Sequence, residues 1–218
     1  MRIALLALAA LAAAGCSKSS SEPAKIDAPF SEGFDGAELG ADWFNSGGPY
    51  RIESGALAFS NAHNHPLWLK RRLPENVKID LDVTGQSAAG DLKVVVFGDG
   101  VSHESDEAVK KDLQYTDTGY VFIFGGWNNR LSTIVKQAEH AWQYDQSVPR
   151  RTDVHVQVGH TYHWTITRRA GHLEWWIDGQ PFLSYDDPSP LWGKGHDRFG
   201  ITGWESAAVY DNVKIAPL

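Results

Sequence analysis

The chain has 218 residues with a formal net charge of −7, and its 9 Trp, 9 Phe and 7 Tyr are enough to form one well-buried domain. The acidic balance and the short, scattered basic runs exclude the electrostatic footprint of a nucleic-acid-binding protein. Cys16 is the only cysteine, which excludes a disulfide within one chain, so the domain must rely on its hydrophobic core.

Residues 1–15 have the composition of an export signal. Arg2 gives a minimal positive start, and the apolar run that follows is too short for an ordinary membrane span. The run ends in Ala13-Ala14-Gly15-Cys16, which resembles a bacterial lipoprotein signal, although Ala13 stands where such signals prefer Leu. The resemblance implies that Cys16 becomes the lipidated N-terminus, carrying palmitate. The alternative is an ordinary cleaved signal in which Cys16 has no role.

Residues 16–29 are predicted to be a flexible tether, and residues 30–218 the folded domain. The polar residues after the cysteine are typical of a flexible linker. Ser17, directly after the cysteine, resembles the sorting signal of Gram-negative outer-membrane lipoproteins. The expected location is therefore the cell envelope, with the domain lipid-anchored at the outer membrane and either periplasmic or surface-exposed.

Polar and aromatic residues near position 65 form the first candidate site. His63, Asn64 and His65 precede a proline and Trp68, so a loop there could present imidazoles beside an aromatic ring. His65 and Trp68 are therefore candidate substrate-binding residues. The alternative is that they are polar residues at the rim of a sheet.

Two strands with different patterns come next. Residues 77–83 alternate apolar and polar side chains, which predicts a half-buried strand. The continuous apolar run DLKVVVFG, residues 91–98, predicts a central strand that is buried on both faces.

The segment from Thr118 to Asp145 is the main functional candidate. An alternating strand ends in Gly125-Gly126, and a second strand at residues 131–136 leads to Glu139 and His140. Sugars stack their C–H faces on aromatic rings, while amides and charged groups read their hydroxyls. The candidate substrate-binding residues here are Trp127, Asn128, Asn129, Arg130 and Lys136. The alternative is that Trp127 packs in a hairpin whose two asparagines are turn formers.

The last quarter of the chain predicts consecutive antiparallel strands. Apolar and polar residues alternate from Tyr162 to Ile166 and again from Leu173 to Ile177. Asp178-Gly179 is a strong hairpin signal, because both residue types tolerate a positive φ.

These C-terminal motifs carry a resemblance to a known family. The stretches LEWWIDGQPFLSY, RFGITGW and VYDNVKI resemble the C-terminal half of concanavalin A-like lectin/glucanase domains, in their laminin-G-like and sugar-active bacterial branch. The resemblance implies an all-β, two-sheet antiparallel jelly-roll sandwich with a carbohydrate bound across its concave sheet. No cofactor is expected except a structural calcium near the last strand. Asp211, which falls on an apolar alternation face with Val213, is the candidate ligand; the alternative is that backbone N–H groups satisfy it.

Catalysis receives less support from the sequence. Glycoside hydrolases of this fold carry Glu-x-Asp-x-x-Glu or Glu-x-Asp-x-Glu on one strand, and neither run occurs here. Lys136, Glu139 and His140 are the remaining catalytic candidates, with His140 as general base. The expected function is carbohydrate binding. The alternatives are a glycan-degrading enzyme, either hydrolase or lyase, and a structural envelope module without a sugar site.

Overall fold

The computed structural model describes residues 22–103, 110–111 and 114–218. Cys16 and the predicted signal lie outside this range. The described residues form two eight-stranded sheets whose neighbouring strands pair antiparallel. The strands are β1 (Phe30–Glu32), β2 (Trp43–Asn45), β3 (Arg51–Glu53), β4 (Ala56–Ser60), β5 (Leu67–Leu69), β6 (Val77–Gly85), β7 (Leu92–Gly98), β8 (Lys110–Lys111), β9 (Gln114–Gly125), β10 (Leu131–Ala138), β11 (Arg150–Arg151), β12 (Thr161–Arg169), β13 (His172–Ile177), β14 (Gln180–Asp186), β15 (Arg198–Thr202) and β16 (Ala207–Pro217).

The strand order defines a first and a second sheet. The first sheet runs β14-β13-β12-β6-β16-β4-β3, with β1 paired to β16. The second runs β11-β10-β9-β7-β15-β5-β2, with β8 paired to β9. Helical structure among the described residues is limited to one turn, α1 (Gly126–Asn129), and a 3₁₀ turn at Ala141–Gln143. No helix in this part of the chain has the length and apolar character needed to cross a membrane.

The main core lies between the two sheets and follows the predicted alternation. Strand β6 buries every second residue, whereas β7 is buried at every position. Trp164 and Trp175 from the first sheet meet edge-on at 4.6 Å, and Phe124 from the second sheet packs against both. The all-β sandwich predicted from the sequence is confirmed. The predicted hairpin is confirmed as well, since Asp178 and Gly179 both adopt positive φ values, 52° and 72°, between β13 and β14.

A second, smaller core covers the outer face of the second sheet. Val121, Ile123 and Val135 on that face pack against Ala141 and Val148, which follow β10 in the chain. The segment after β10 therefore folds back over the sheet. A register shift between Lys136 and Ala138 begins this reversal.

Two details differ from the sequence expectations. Ile26 is only 2% exposed, its N–H donates to the Arg72 carbonyl, and the Arg72 N–H donates to the carbonyl of Ala24. The docked chain therefore starts before residue 30, inside the predicted tether.

Asp211 also lies on a different face of its strand from the one that the sequence predicts. Strand β16 shifts register between Asp211 and Lys214, and Asn212 lies there with φ 51°. The shift changes which face alternate residues occupy, so Asp211 does not share the buried face of Val213.

Candidate functional site

A cavity of about 410 Å³ lies where β7 begins and β9 ends. Glu139 and His140 reach it because the segment after β10 folds back. The aromatic residues of its lining are Trp127, His140 and Trp204. Its polar and charged residues are Asn64, Asp91, Lys93, Asn128, Glu139 and Glu205. Aromatic faces beside a small set of polar groups are the usual composition of a ligand site.

The charged floor of the cavity is organised around Lys93, whose side chain is 1% exposed. Its Nζ lies 2.6 Å from Oε1 of Glu139, 3.2 Å from Oδ2 of Asp91 and 3.2 Å from Oδ1 of Asn64. The Asn64 amide also donates to Oε2 of Glu139 at 3.1 Å, and the Trp204 N–H donates to Oδ2 of Asp91 at 2.6 Å. A buried charge needs this kind of satisfaction, because an unpaired one is strongly destabilising.

Burial and mutual charge set the ionisation of this floor. Burial raises the pKa of Asp91, and the Glu139 carboxylate adds to the increase, while the Lys93 ammonium and the Trp204 N–H act against it. Burial lowers the pKa of Lys93, but the attraction of Asp91 and Glu139 outweighs this effect, so the net pKa is raised. The charged form of Lys93 is therefore favoured, beside an Asp91 carboxyl whose pKa lies above that of an ordinary aspartate.

A left-handed turn carries Trp127 into the cavity. Trp127 has φ 52° and ψ 58°, Asn128 has φ 60° and ψ 50°, and the Arg130 N–H donates to the Gly126 carbonyl at 3.0 Å. L-residues disfavour this region, and consecutive ones are rare. The strain is compensated by Asn129, whose side chain donates to the Val156 carbonyl and accepts from the Val156 N–H, both at 2.8 Å. Such strain is frequent at functional sites.

The structure brings only some of the predicted site residues together. Trp127, Asn128, Glu139 and His140 line the cavity. Asn129 does not line the cavity, and its side chain stabilises the turn through two hydrogen bonds to the backbone of Val156. The exposed Arg130 donates from Nε to the Trp127 carbonyl at 3.0 Å, which also stabilises the turn.

Three predicted residues lie elsewhere. Trp68 is 1% exposed and donates its indole N–H to the Ser102 carbonyl, so its ring is not available as a stacking surface. His65 contacts the Ser46 carbonyl through Nδ1 and stacks on His103. Neither residue lines the cavity, so the structure does not bring these two predicted substrate-binding residues to it.

Lys136 is also absent from the cavity. Its ammonium lies 2.9 Å from Oδ2 of Asp187 and donates to the Ser189 carbonyl at 2.6 Å. The carboxylate therefore holds it in a different part of the surface, so Lys136 does not join Glu139 and His140 in the cavity. Lys136 and Glu139 are three positions apart, and residues at odd spacing along a strand point to opposite faces.

Sequence reasoning missed six of the lining residues, among them Asp91, Lys93, Trp204 and Glu205. Asp91 and Lys93 belong to an apolar run, while Trp204 and Glu205 follow a strand without any distinctive motif. The one available signal was the lysine inside DLKVVVFG, because a charge in a strand buried on both faces requires a partner.

The described residues offer no fit for the structural calcium that the resemblance suggests. No group of three or more His, Cys, Asp or Glu side chains in this part of the chain could hold a metal ion. Asp211 accepts the Asn212 N–H at 2.6 Å, and the Asn212 amide donates to Asp82 at 2.9 Å. Burial, followed by the nearby carboxylates of Asp82 and Asp35, raises the pKa of Asp211 despite the Asn212 N–H.

Comparison with known proteins identifies the architecture. Neither protein-family models nor curated protein sequences give a match. Among solved structures, the carbohydrate-binding module CBM66 from Bacillus subtilis superposes with a TM-score of 0.56 and 14% identity, over 79% of this chain and 94% of that chain. A β-1,3-1,4-glucanase (lichenase) derived from a mouse hindgut metagenome gives 0.58 and 10%, over 88% and 100%. A Bacillus subtilis protein of unknown function with a galectin-like fold gives 0.61 and 14%, over 88% and 97%.

The chain has the concanavalin A-like lectin/glucanase fold. In this concanavalin A-like sandwich the middle of the second sheet is closed on its outer side, since Val95, Val121 and Val135 there are at most 1% exposed. The cavity instead lies at the end of the strands that the resemblance implied would line a ligand. At this level of identity the likeness shows the fold, and the chemistry of the site depends on the residues of the cavity itself.

Proposed function

We propose that this protein is an exported, lipid-anchored envelope protein that binds a poly- or oligosaccharide in the Trp127–Trp204 cavity. The observation that carries the proposal is the pairing of aromatic surfaces with buried hydrogen-bonding groups around one space of about 410 Å³. Trp127 and Trp204 provide faces for sugar C–H groups, and the Asp91 and Glu139 carboxylates provide acceptors for hydroxyls. The shared fold of a carbohydrate-binding module and a glucanase supports this proposal.

The anchor is the second part of the proposal. Its support is the apolar N-terminal run that ends in Gly15-Cys16, followed by polar residues. Acyl chains on Cys16 would hold the domain at the membrane, and Ser17 favours the outer membrane as the destination.

Replacing Trp127 by alanine tests the binding site. Loss of the ring should weaken glycan binding by about 1–3 kcal/mol, the scale of burying a large apolar side chain. The matched control is Trp176→Ala, because Trp176 is a partly exposed tryptophan on β13 in the first sheet. A glycan array followed by titration calorimetry on the best ligand provides the measurement, and circular dichroism verifies that both variants are folded. Equal affinity in wild type and Trp127→Ala would contradict a sugar site at this cavity.

A glycan-degrading enzyme is the second candidate function, and one observation favours it. Asp91 and Glu139 share the Lys93 ammonium, which holds two carboxylates close together in a cavity, and the pKa of Asp91 is raised by its burial. Glycosidases use an acid and a base or nucleophile whose environments separate their pKa values.

Product analysis distinguishes the two functions. An enzyme would release shortened oligosaccharides, and Asp91→Asn and Glu139→Gln would each abolish the release. An unsaturated product that absorbs in the near ultraviolet would identify a lyase, and a new reducing end alone would identify a hydrolase. Binding without product release favours the binding protein.

A further inference from the structure

The charges of the groups that line the cavity do not sum to zero. Three carboxylates, those of Asp91, Glu139 and Glu205, face a single ammonium, that of Lys93. Asp91 and Glu139 are 7% and 6% exposed, so solvent screens their charges less than it screens surface charges. With these groups ionised, a ligand in the cavity meets an excess of negative charge.

Lys93 has no proton left for a ligand. An ammonium has three N–H donors, and the three acceptors around Nζ belong to Glu139, Asp91 and Asn64, at 2.6, 3.2 and 3.2 Å. The cation that could otherwise bind a ligand carboxylate or sulfate is therefore already fully engaged by the protein.

Two other cationic residues from the predicted site lie outside the lining. The Arg130 side chain is exposed and donates to the Trp127 carbonyl, while Lys136 is held by Asp187. Neither residue lines the cavity. Among the residues that line the cavity, an anionic sugar would thus face carboxylates, and the one lysine ammonium there is already bound.

The carboxylates, in contrast, still have oxygen lone pairs that can accept hydrogen bonds from a ligand. Each ionised carboxylate has about four lone-pair sites, of which Glu139 uses one for Lys93 and one for Asn64. Asp91 directs Oδ2 toward both the Trp204 N–H and Lys93. The tryptophan faces of the same cavity also attract cations, since the ring quadrupole is negative above its plane.

We infer that the cavity selects sugars that carry a free amine over neutral sugars, and that it excludes sugars that carry carboxylate or sulfate groups. This inference rests on the proposed function, because it specifies the ligand class of the same site. An ammonium on the sugar would be attracted by the excess carboxylate charge and by the aromatic faces. A uronate or sulfate would be repelled by the same carboxylates and would find no partner in Lys93.

A glycan array sorted by charge tests the inference. The full chain is applied to glycans in three sets: those with free amines, such as glucosamine oligomers, neutral oligosaccharides, and oligosaccharides that contain uronates or sulfates. Affinities for the best amine-bearing glycan and for the neutral glycan of the same linkage and length are then titrated. We expect the amine-bearing glycan to bind at least about fivefold more tightly, the upper end for one exposed charge interaction, because several carboxylates act together, and we expect acidic glycans to give no signal. Raising the salt concentration should reduce the preference for the amine, because salt screens charge attraction at the cavity opening.

A charge-removing variant at the cavity opening supplies the control. Glu205→Gln removes the exposed carboxylate and should lower the amine preference by about twofold to fivefold, as expected for a partly solvated charge. Glu38→Gln makes the same charge change at an exposed position outside the cavity lining and should leave the preference unchanged.

The outcomes separate this inference from the proposed function. If acidic glycans bind as tightly as neutral ones, or if amine-bearing glycans have no advantage, the charge selectivity is overturned and carbohydrate binding stands. If no glycan in any set binds, carbohydrate binding itself is overturned, and the selectivity falls with it.

Discussion

A lysine side chain occupies a fully buried position in β7 because two carboxylates and an amide surround its ammonium. The surrounding strand is a continuous apolar run, and each of its residues is buried. Lys93 is the charged residue in this strand. Its partners Asp91, Glu139 and Asn64 come from three different segments. A charge in this position makes the stability of the fold depend on the complete set of partners.

Replacing Lys93 by methionine should destabilise the domain by about 3–5 kcal/mol, because two buried carboxylates lose their counter-ion. Chemical denaturation gives the free energy of unfolding. The control is the triple variant Lys93→Met, Asp91→Asn, Glu139→Gln, which removes all three charges and should regain a large part of the loss. An unchanged midpoint for Lys93→Met alone would show that the ammonium does not stabilise the carboxylates.

At the scale of elements, the turn between β9 and β10 decides where Trp127 points. Trp127, Asn128 and Asn129 all have positive φ values, between 52° and 60°. Asparagine is among the residues that tolerate this conformation, but a tryptophan is not, so supporting contacts have to hold it. Asn129 supplies two of them through the backbone of Val156.

The two asparagines form a matched pair for testing the turn. Asn129→Ala should destabilise the domain by about 1–3 kcal/mol, since it leaves buried backbone groups of Val156 without partners, and it should also weaken ligand binding by loosening Trp127. Asn128 also has φ 60°, but its side chain makes no hydrogen bond to the described residues. Asn128→Ala should therefore reduce stability less than Asn129→Ala does. Thermal unfolding and ligand titration of both variants provide the comparison. Equal losses would show that the backbone conformation, and not the Asn129 hydrogen bonds, sets the cost.

Alternation predicted the strands well, whereas the cavity needed tertiary information. The period-two patterns from residue 77 to 83 and from Tyr162 to Ile177 identified buried faces that the structure confirms. The sequence places Trp127 and His140 in one candidate site on adjacent predicted strands, and their rings do meet at 5.6 Å. Asp91 and Trp204 enter the same cavity from distant segments, and the fold-back after β10 depends on the packing of Ala141 and Val148, which no local pattern encodes. The bulge at Asn212 also reverses side-chain directions that simple alternation assigns.

At the scale of the whole molecule, the N-terminal segment brings the domain close to the proposed anchor. Ala24 and Ile26 pair with Arg72, so backbone contacts to the domain are present by the eighth position after Cys16. An extended chain covers at most about 3.3–3.6 Å per residue. Ala24, eight residues after Cys16, would therefore lie within about 30 Å of the membrane surface. The domain would then bind glycans close to the membrane that holds it.

Changing the cysteine tests this placement. Wild type should incorporate labelled palmitate and partition into detergent, because acylation of Cys16 supplies the apolar anchor, and Cys16→Ala should lose both properties. Ser17→Asp is the control: it should retain the label, because the cysteine is present, while moving from the outer to the inner membrane fraction, because the residue after the cysteine resembles the outer-membrane sorting signal. Metabolic labelling and membrane fractionation measure both effects. If Cys16→Ala were labelled as strongly as wild type, the anchor would not be at Cys16, and the short connection between domain and membrane would have no basis.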